Sequence, residues 1–122
     1  PADVALREFH QGLFAKTSGD VFRNGSWQIC EVHGWPDNSS CRNILAWTWK
    51  KDSIRYMIVI NFSDSASQAM VKAHWYDLPG KKVHLSDVLS GAAYDRDGSE
   101  MADSGLYVVL EPWSCHFFRV EY

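Results

Sequence analysis

Two rhythms of apolar residues divide the chain. Over the first 16 residues, Leu6, Phe9 and Leu13 recur at i, i+3 and i+7 with Phe14 beside them, and Asp3 stands as an N-cap behind Pro1. That spacing predicts an amphipathic helix with one apolar face, ended at Ser18-Gly19. From residue 26 the period changes. Short apolar runs predict strands over Trp27 to His33, Ile44 to Lys50, Ile54 to Phe62, Ala69 to His74, Lys82 to Leu89, Ala92 to Tyr94, Leu106 to Leu110 and Ser114 to Tyr122. Between them fall turn signals such as Lys51-Asp52-Ser53, Pro79-Gly80, Ser90-Gly91, Asp97-Gly98 and Ser104-Gly105. Strands at this spacing, with no helix between them, predict a mainly β fold of antiparallel sandwich type rather than a parallel α/β sheet.

Patterning within the strands refines the picture. Tyr56 to Ile60 is a continuous apolar run, as expected of a central strand covered on both faces, whereas Trp27, Ile29 and Val32 alternate more loosely. Trp47 and Trp49 stand two apart, so the pleat points both indoles to one side; they are assigned to the interior, as is Trp113. The apolar run stops at Asn61-Phe62-Ser63, whose short polar side chains are read as satisfying backbone groups where a buried strand ends.

Composition narrows the class. A chain of 122 residues with 46% hydrophobic, 14% aromatic and 22% charged residues is one globular domain, not a disordered segment. A net charge of -3 leaves no source for phosphate neutralisation, so nucleic acid is not an expected partner. No apolar run reaches the roughly 20 residues a bilayer helix needs, so no membrane partner is expected either. Cys30, Cys41 and Cys115 are odd in number and widely spaced, which predicts reduced thiols and, weakly, a cytoplasmic setting. Asn24, Asn38 and Asn61 each open a glycosylation sequon, a three-residue pattern that chance often produces.

Candidate chemistry is thin. None of the fifteen carboxylates lies in a stretch that reads as a buried strand end presenting an acid, most fall in turns or beside Lys or Arg, and all are read as solvated. Asp95 to Glu100 faintly suggests a calcium loop but lacks the full ligand series, and a hairpin turn built on Asp97-Gly98 is the preferred reading. Five histidines without a close ligand partner predict no metal, and no cofactor-binding pattern is present. In Ser114-Cys115-His116 neighbouring side chains point to opposite faces of a strand and cannot form a catalytic dyad. Exposed aromatics remain as a stacking surface for sugar: Trp35, in the Gly34-Trp35-Pro36-Asp37-Asn38 loop, is the first candidate, and Trp75 with Tyr76 the second.

Here the residues carry a likeness. "LREFHQGLFAKTSGDVFRNGSWQICEVHG" resembles the last barrel helix of an α-amylase-family glycoside hydrolase and the start of its C-terminal domain. "YMIVINFSDSASQAMV" is similar to that domain's central strand, "LSDVLSGAAYDRDG" to its Leu-x-Asp-Leu-Leu-Ser-Gly segment, and "SGLYVVLEPWSCHFFRVEY" to its closing strand. The residues around Trp35, Cys41 and Arg42 match no fixed family pattern, and Cys115 replaces what is more often a small or polar residue.

The resemblance implies a Greek-key sandwich of about eight strands over residues 19–122, with residues 1–18 as the last helix of an upstream (β/α)8 catalytic barrel. It also implies that the catalytic carboxylates lie in that barrel, so no catalytic residue is assigned here. Leu6, Phe9, Leu13 and Phe14 would then be shared between barrel and sandwich as an interface, and in an isolated fragment that face would fold onto the sheet, pair with a second copy or fray. The expected function is that of a non-catalytic accessory domain of an enzyme acting on α-glucans. A glucan-binding module is the second reading and a free-standing enzyme the third.

Overall fold

Nine strands form among residues 25–122, which are the residues the computed structural model describes. They are β1 (Ser26–Ile29), β2 (Glu31–His33), β3 (Ile44–Lys51), β4 (Ile54–Asn61), β5 (Ser67–Lys72), β6 (Lys82–Asp87), β7 (Ala93–Asp97), β8 (Leu106–Leu110) and β9 (Cys115–Glu121). A 3-10 turn spans Ser40–Asn43, and a short helix, α1, spans Gly98–Asp103. The predicted helix with Leu6, Phe9, Leu13 and Phe14 lies outside the described residues.

Every pairing is antiparallel. Six strands form one sheet in the order β1-β3-β4-β9-β6-β7, and three form the other in the order β2-β5-β8. The core lies between them. Ile44, Ala46, Met57, Val59, Leu85, Phe118 and Val120 point inward from the large sheet, and Ala69, Val71, Leu106, Val108 and Leu110 from the small one. Small-sheet strands read as clean alternation, buried-exposed-buried along β8, because only one of their faces meets the core. By contrast Met57 to Asn61 of β4 are all buried, as the continuous apolar run predicts.

Three expectations are corrected. The first is the single strand over Trp27 to His33. It is two strands in different sheets, β1 in the large and β2 in the small, with buried Cys30 as the pivot between them. Cys30 N–H donates to the Ala46 carbonyl at 2.9 Å, so the ladder continues through the crossing. The loose alternation of Trp27, Ile29 and Val32 marks this change of sheet.

The second is the Asp97-Gly98 hairpin turn. Asp97 ends β7 and caps α1, its Oδ1 accepting from the Ser99 N–H at 2.8 Å. Gly98 is required by packing, since a Cβ there would lie 2.0 Å from the Leu78 carbonyl oxygen. The helix turns Met101 into the core, where its burial contributes about 1.5–3 kcal/mol. A short helix with one buried side chain, that of Met101, leaves no periodic signal beside the strand and turn signals around it.

Trp47 and Trp49 do share a face, but it is the outer face of the large sheet. Ala46 and Thr48 take the inward positions, while the two half-buried indoles pack with Tyr56 around a second cluster of Ile58, Ile60 and Phe117.

Candidate functional site

Three polar features and the clefts beside β7, the widest of about 540 Å³ between Lys81, Lys82, Asp95 and Asp97, are places among the described residues where chemistry could reside. The first is Asn61, fully buried at the end of β4. Its Nδ2 donates to the carbonyls of Ser65 (2.8 Å), Leu110 (3.1 Å) and Glu111 (3.1 Å), and its Oδ1 accepts from Ser63 Oγ at 2.8 Å. One side chain thus closes the end of the large sheet against the end of β8 in the small one. It is a structural clasp, as its place at the strand end predicts, and its burial leaves no room for a glycan.

The second is a buried acid that composition did not single out. Asp87, at the end of β6, has a side chain only 2% exposed. Its Oδ2 meets His116 Nδ1 at 2.9 Å, and its Oδ1 accepts from the N–H groups of Leu89 (3.0 Å), Ser90 (3.4 Å) and Phe117 (3.4 Å). Burial pushes its carboxyl up, but the hydrogen bonds from His116 and the backbone outweigh this and hold it below the usual carboxylate range. The reading of all carboxylates as solvated is therefore corrected at Asp87, and the signal for it was the Asp-Val-Leu-Ser-Gly turn. Asp87 is the one buried carboxylate among the described residues, so no second acid opposes it across a pocket.

His116 points inward from β9, stacked on Phe118 with ring centroids 4.7 Å apart, while Cys115 points to the outer face as strand alternation requires. Burial pushes the Cys115 thiol up to about 12 and the Cys30 thiol to the same level, which leaves both as poor nucleophiles at neutral pH. All three cysteines are free thiols.

The third feature lies at the opposite end of β4. Arg55 Nη2 reaches Asp77 Oδ2 at 3.0 Å, Tyr122 donates its hydroxyl to Asp77 Oδ1 at 2.5 Å, and the Arg55 guanidinium sits 4.5 Å above the Tyr122 ring. The Tyr122 hydroxyl holds the Asp77 carboxyl low, while burial raises the Tyr122 phenol. This cluster ties the chain end to the 75–80 turn.

The groove runs where the small sheet leaves β6 and β7 uncovered. One cavity of about 200 Å³ lies between β7 and β8, with Tyr94, Arg96, Tyr107, His116 and Phe118 among its walls. A second, of about 320 Å³, lies beside α1, with Met70, Glu100 and Met101 among its walls. Arg96, Leu106 and Tyr107 line both. No group of three His, Cys, Asp or Glu side chains that could hold a metal ion occurs among the described residues.

The sugar-stacking candidates separate. Trp35 opens a tight loop in which its N–H and carbonyl pair with those of Asn38, at 3.2 and 3.0 Å. The loop folds this closely because Gly34 has no Cβ; one would meet Cys41 Sγ at 2.6 Å. Trp35 is 36% exposed and meets Tyr107 edge-on, with centroids 5.9 Å apart. Trp75 packs partly against the core, and the adjacent Tyr76 is 94% exposed. Among the described residues the ring partner of Trp35 is Tyr107, not Trp75 or Tyr76. Tyr107, which sequence reading missed, stood in a strand whose alternation already placed it outward.

Comparison with known proteins places the fold. No family model matches the chain, and no curated protein matches it. Solved structures do. A noncanonic maltogenic α-amylase, AmyB from Thermotoga neapolitana, matches with a TM-score of 0.64 at 13% identity over 93% of this chain and 25% of its own. The trehalulose synthase MutB from Pseudomonas mesoacidophila MX-45 matches at 0.53 and 21% identity, over 93% of this chain and 17% of its own. A mutant of MutB in complex with sucrose aligns equally, at 0.53 and 19% identity. The chain thus shares its fold with part of these enzymes and spans a quarter or less of their length.

Proposed function

We propose that this chain is the C-terminal accessory domain of an α-amylase-family glycoside hydrolase, with the catalytic carboxylates in an upstream (β/α)8 barrel. Its role is to stabilise that barrel and shield one side of it while the barrel acts on α-glucans. The sequence likeness and the shared fold with α-amylase-family enzymes support this reading over 93% of the chain.

The observation that carries it is the outer face of the large sheet. A sheet face turned to water is ordinarily polar, yet here Ile58 and Phe117 are fully buried on the side away from the core. Around them the same face presents Trp27, Ile29, Leu45 and Ile54, each at least 39% exposed. So extended an apolar surface marks an interface. It is suited to the barrel side of a larger enzyme, and β1 at its edge is the first described strand, next to the segment that leads in from residues 1–18.

Two measurements test the reading. The purified 122-residue chain is expected to release no reducing sugar from starch, and measurable hydrolysis overturns the accessory role. The chain is also expected to associate with the separately produced upstream barrel, and Trp27→Lys with Ile29→Lys is expected to weaken that association at least tenfold while the chain stays folded. Unchanged association would move the interface elsewhere.

A further inference from the structure

Each sheet ends in two edge strands, and a strand at an edge offers unpaired N–H and C=O groups to any other chain. Proteins blunt such edges with charge, proline or brevity. β7 carries Asp95, Arg96 and Asp97, β2 is three residues long with Glu31 and His33, and β1 lasts four residues before the chain crosses at Cys30. β8 has none of these protections. Leu106–Leu110 is five residues without charge, proline or glycine, pairs along one side with β5 and closes the order of its sheet. No backbone hydrogen bond reaches its other side among the described residues.

The cavity of about 200 Å³ makes this edge accessible. Leu106, Tyr107, Val108 and Val109 all line it, inward and outward side chains alike, so the space borders the open edge of the strand and not one of its faces. Past that edge the inner face of the large sheet continues through Leu85, Tyr94, His116 and Phe118. An added strand would lie over these residues and extend the small sheet toward β7.

Charge narrows the occupant. The titratable groups of opposite sign to a carboxylate that line this cavity are Arg96 and His116, and no carboxylate lines it. His116 is already held by Asp87 at 2.9 Å. Arg96 donates from Nη1 to the Asp95 carbonyl at 2.8 Å and lies 5.3 Å over the Tyr94 ring, with Asp97 and Glu100 beside it in the neighbouring cavity and not in this one. A carboxylate on the incoming strand would complete its hydrogen bonding.

Position narrows it further. Residues 1–24 join the fold at β1, and β7 stands at the other end of the same sheet, five strand spacings or roughly 24 Å away. A second copy offering its own β8 would carry β7 along, and the two β7 strands would meet in the space that each β8 borders.

We propose that the free edge of β8 is a strand-addition site, which takes an extended acidic segment of another protein as a fourth strand of the small sheet. Main-chain hydrogen bonds to β8 hold the segment, its alternate apolar side chains cover Tyr94 and Phe118, and its carboxylate meets Arg96. The site does not depend on the function proposed above.

The probe is the peptide acetyl-Thr-Val-Thr-Val-Thr-Glu-amide, whose two Val and one Glu share a face when extended. Titrated into the 122-residue chain, it is expected to give saturable amide shifts centred on Leu106–Leu110 with a Kd of about 1 mM, and to slow hydrogen exchange at alternate β8 amides. Arg96→Glu, on an exposed side chain, is expected to weaken binding about tenfold at an unchanged unfolding midpoint, and the same peptide with Lys in place of Glu is expected to restore it. N-methylation of the peptide's alternate amides on the β8 side is expected to abolish the response. No saturation at about 10 mM overturns the site, as does binding indifferent to N-methylation in either register. Alternate β8 amides already protected in the free chain would assign the edge to this chain's own residues, and concentration-dependent association through β8 would assign it to a second copy; either result overturns the proposal.

Discussion

The outer faces of the two sheets obey the same two-residue period and end in opposite chemistry. On the large sheet the outward positions of β3, β4 and β9 include Trp47, Trp49, Tyr56, Ile58, Ile60 and Phe117, buried to a half or more, with the more exposed Leu45, Ile54 and Arg119 around them. On the small sheet the outward positions paired across β2, β5 and β8 are Glu31 with Lys72, His33 with Met70 and Tyr107, and Gln68 with Val109. One face is apolar and closely packed at its centre, the other polar and open to water. The lesson is that each sheet's outward residues, not its inward ones, say what the domain does, since the inward sets of both are ordinary core.

The sharpest way to break the contrast is to truncate one ring on each face. Phe117 is fully buried and makes an edge contact with Tyr56 at 5.5 Å. Phe117→Ala is therefore expected to destabilise the chain by about 3–5 kcal/mol, the transfer loss and the cavity acting together. Tyr107 is 51% exposed, and Tyr107→Ala is expected to stay within roughly 0.5 kcal/mol. Urea unfolding of the two variants provides the comparison. Equal midpoints would mean that the large sheet's outer face behaves as open surface.

Asp87 sharpens the same contrast through pH, because it stands at the end of the large sheet while the small sheet's charges are solvated. Its carboxyl is held below its unfolded value, so the stability it contributes is fully present above the unfolded value of about 3.9 and is lost as pH falls through the folded value. Hydrogen exchange on acidification should open first at the N–H groups of Leu89, Ser90 and Phe117, which its Oδ1 accepts. Asp87→Asn is expected to cost about 1–3 kcal/mol at pH 7, and its stability should converge with that of the unsubstituted chain in acid. A constant difference from pH 7 down to pH 2 would assign the effect to packing rather than to charge.

How much of this was legible beforehand depends on whether a residue's role is local. The end of β4 was legible, because an apolar run closing on Asn61 and Ser63 has few ways to satisfy its last backbone groups. The outward direction of Trp47 and Trp49 was not, because period two says only that they share a side, and bulk alone suggested the core. The pivot at Cys30 and the helix Gly98–Asp103 were likewise hidden, since each is decided by one residue meeting a distant strand. The groove belongs to this second class. Arg96, Tyr107 and His116 come from three strands, so nothing in their spacing could have joined them, whereas the exposure of Trp35 was legible in its loop chemistry.

The smallest expected effect tests the small face alone. His33 Nε2 and Glu31 Oε2 stand 3.8 Å apart, with side chains 60% and 51% exposed. A polar contact that open to solvent gains little, since water competes for both groups and the side chains keep most of their freedom only when the contact is broken. Glu31→Gln is therefore expected to shift stability by less than about 0.5 kcal/mol, within the scatter of a denaturant curve. The two residues alternate along β2 with half-buried Val32 between them, so they share the outer side with Lys72 and Met70. A loss approaching that of Asp87→Asn would mean that this side is covered too. The contrast between a face made for burial and a face made for solvent would then fail where it is easiest to check.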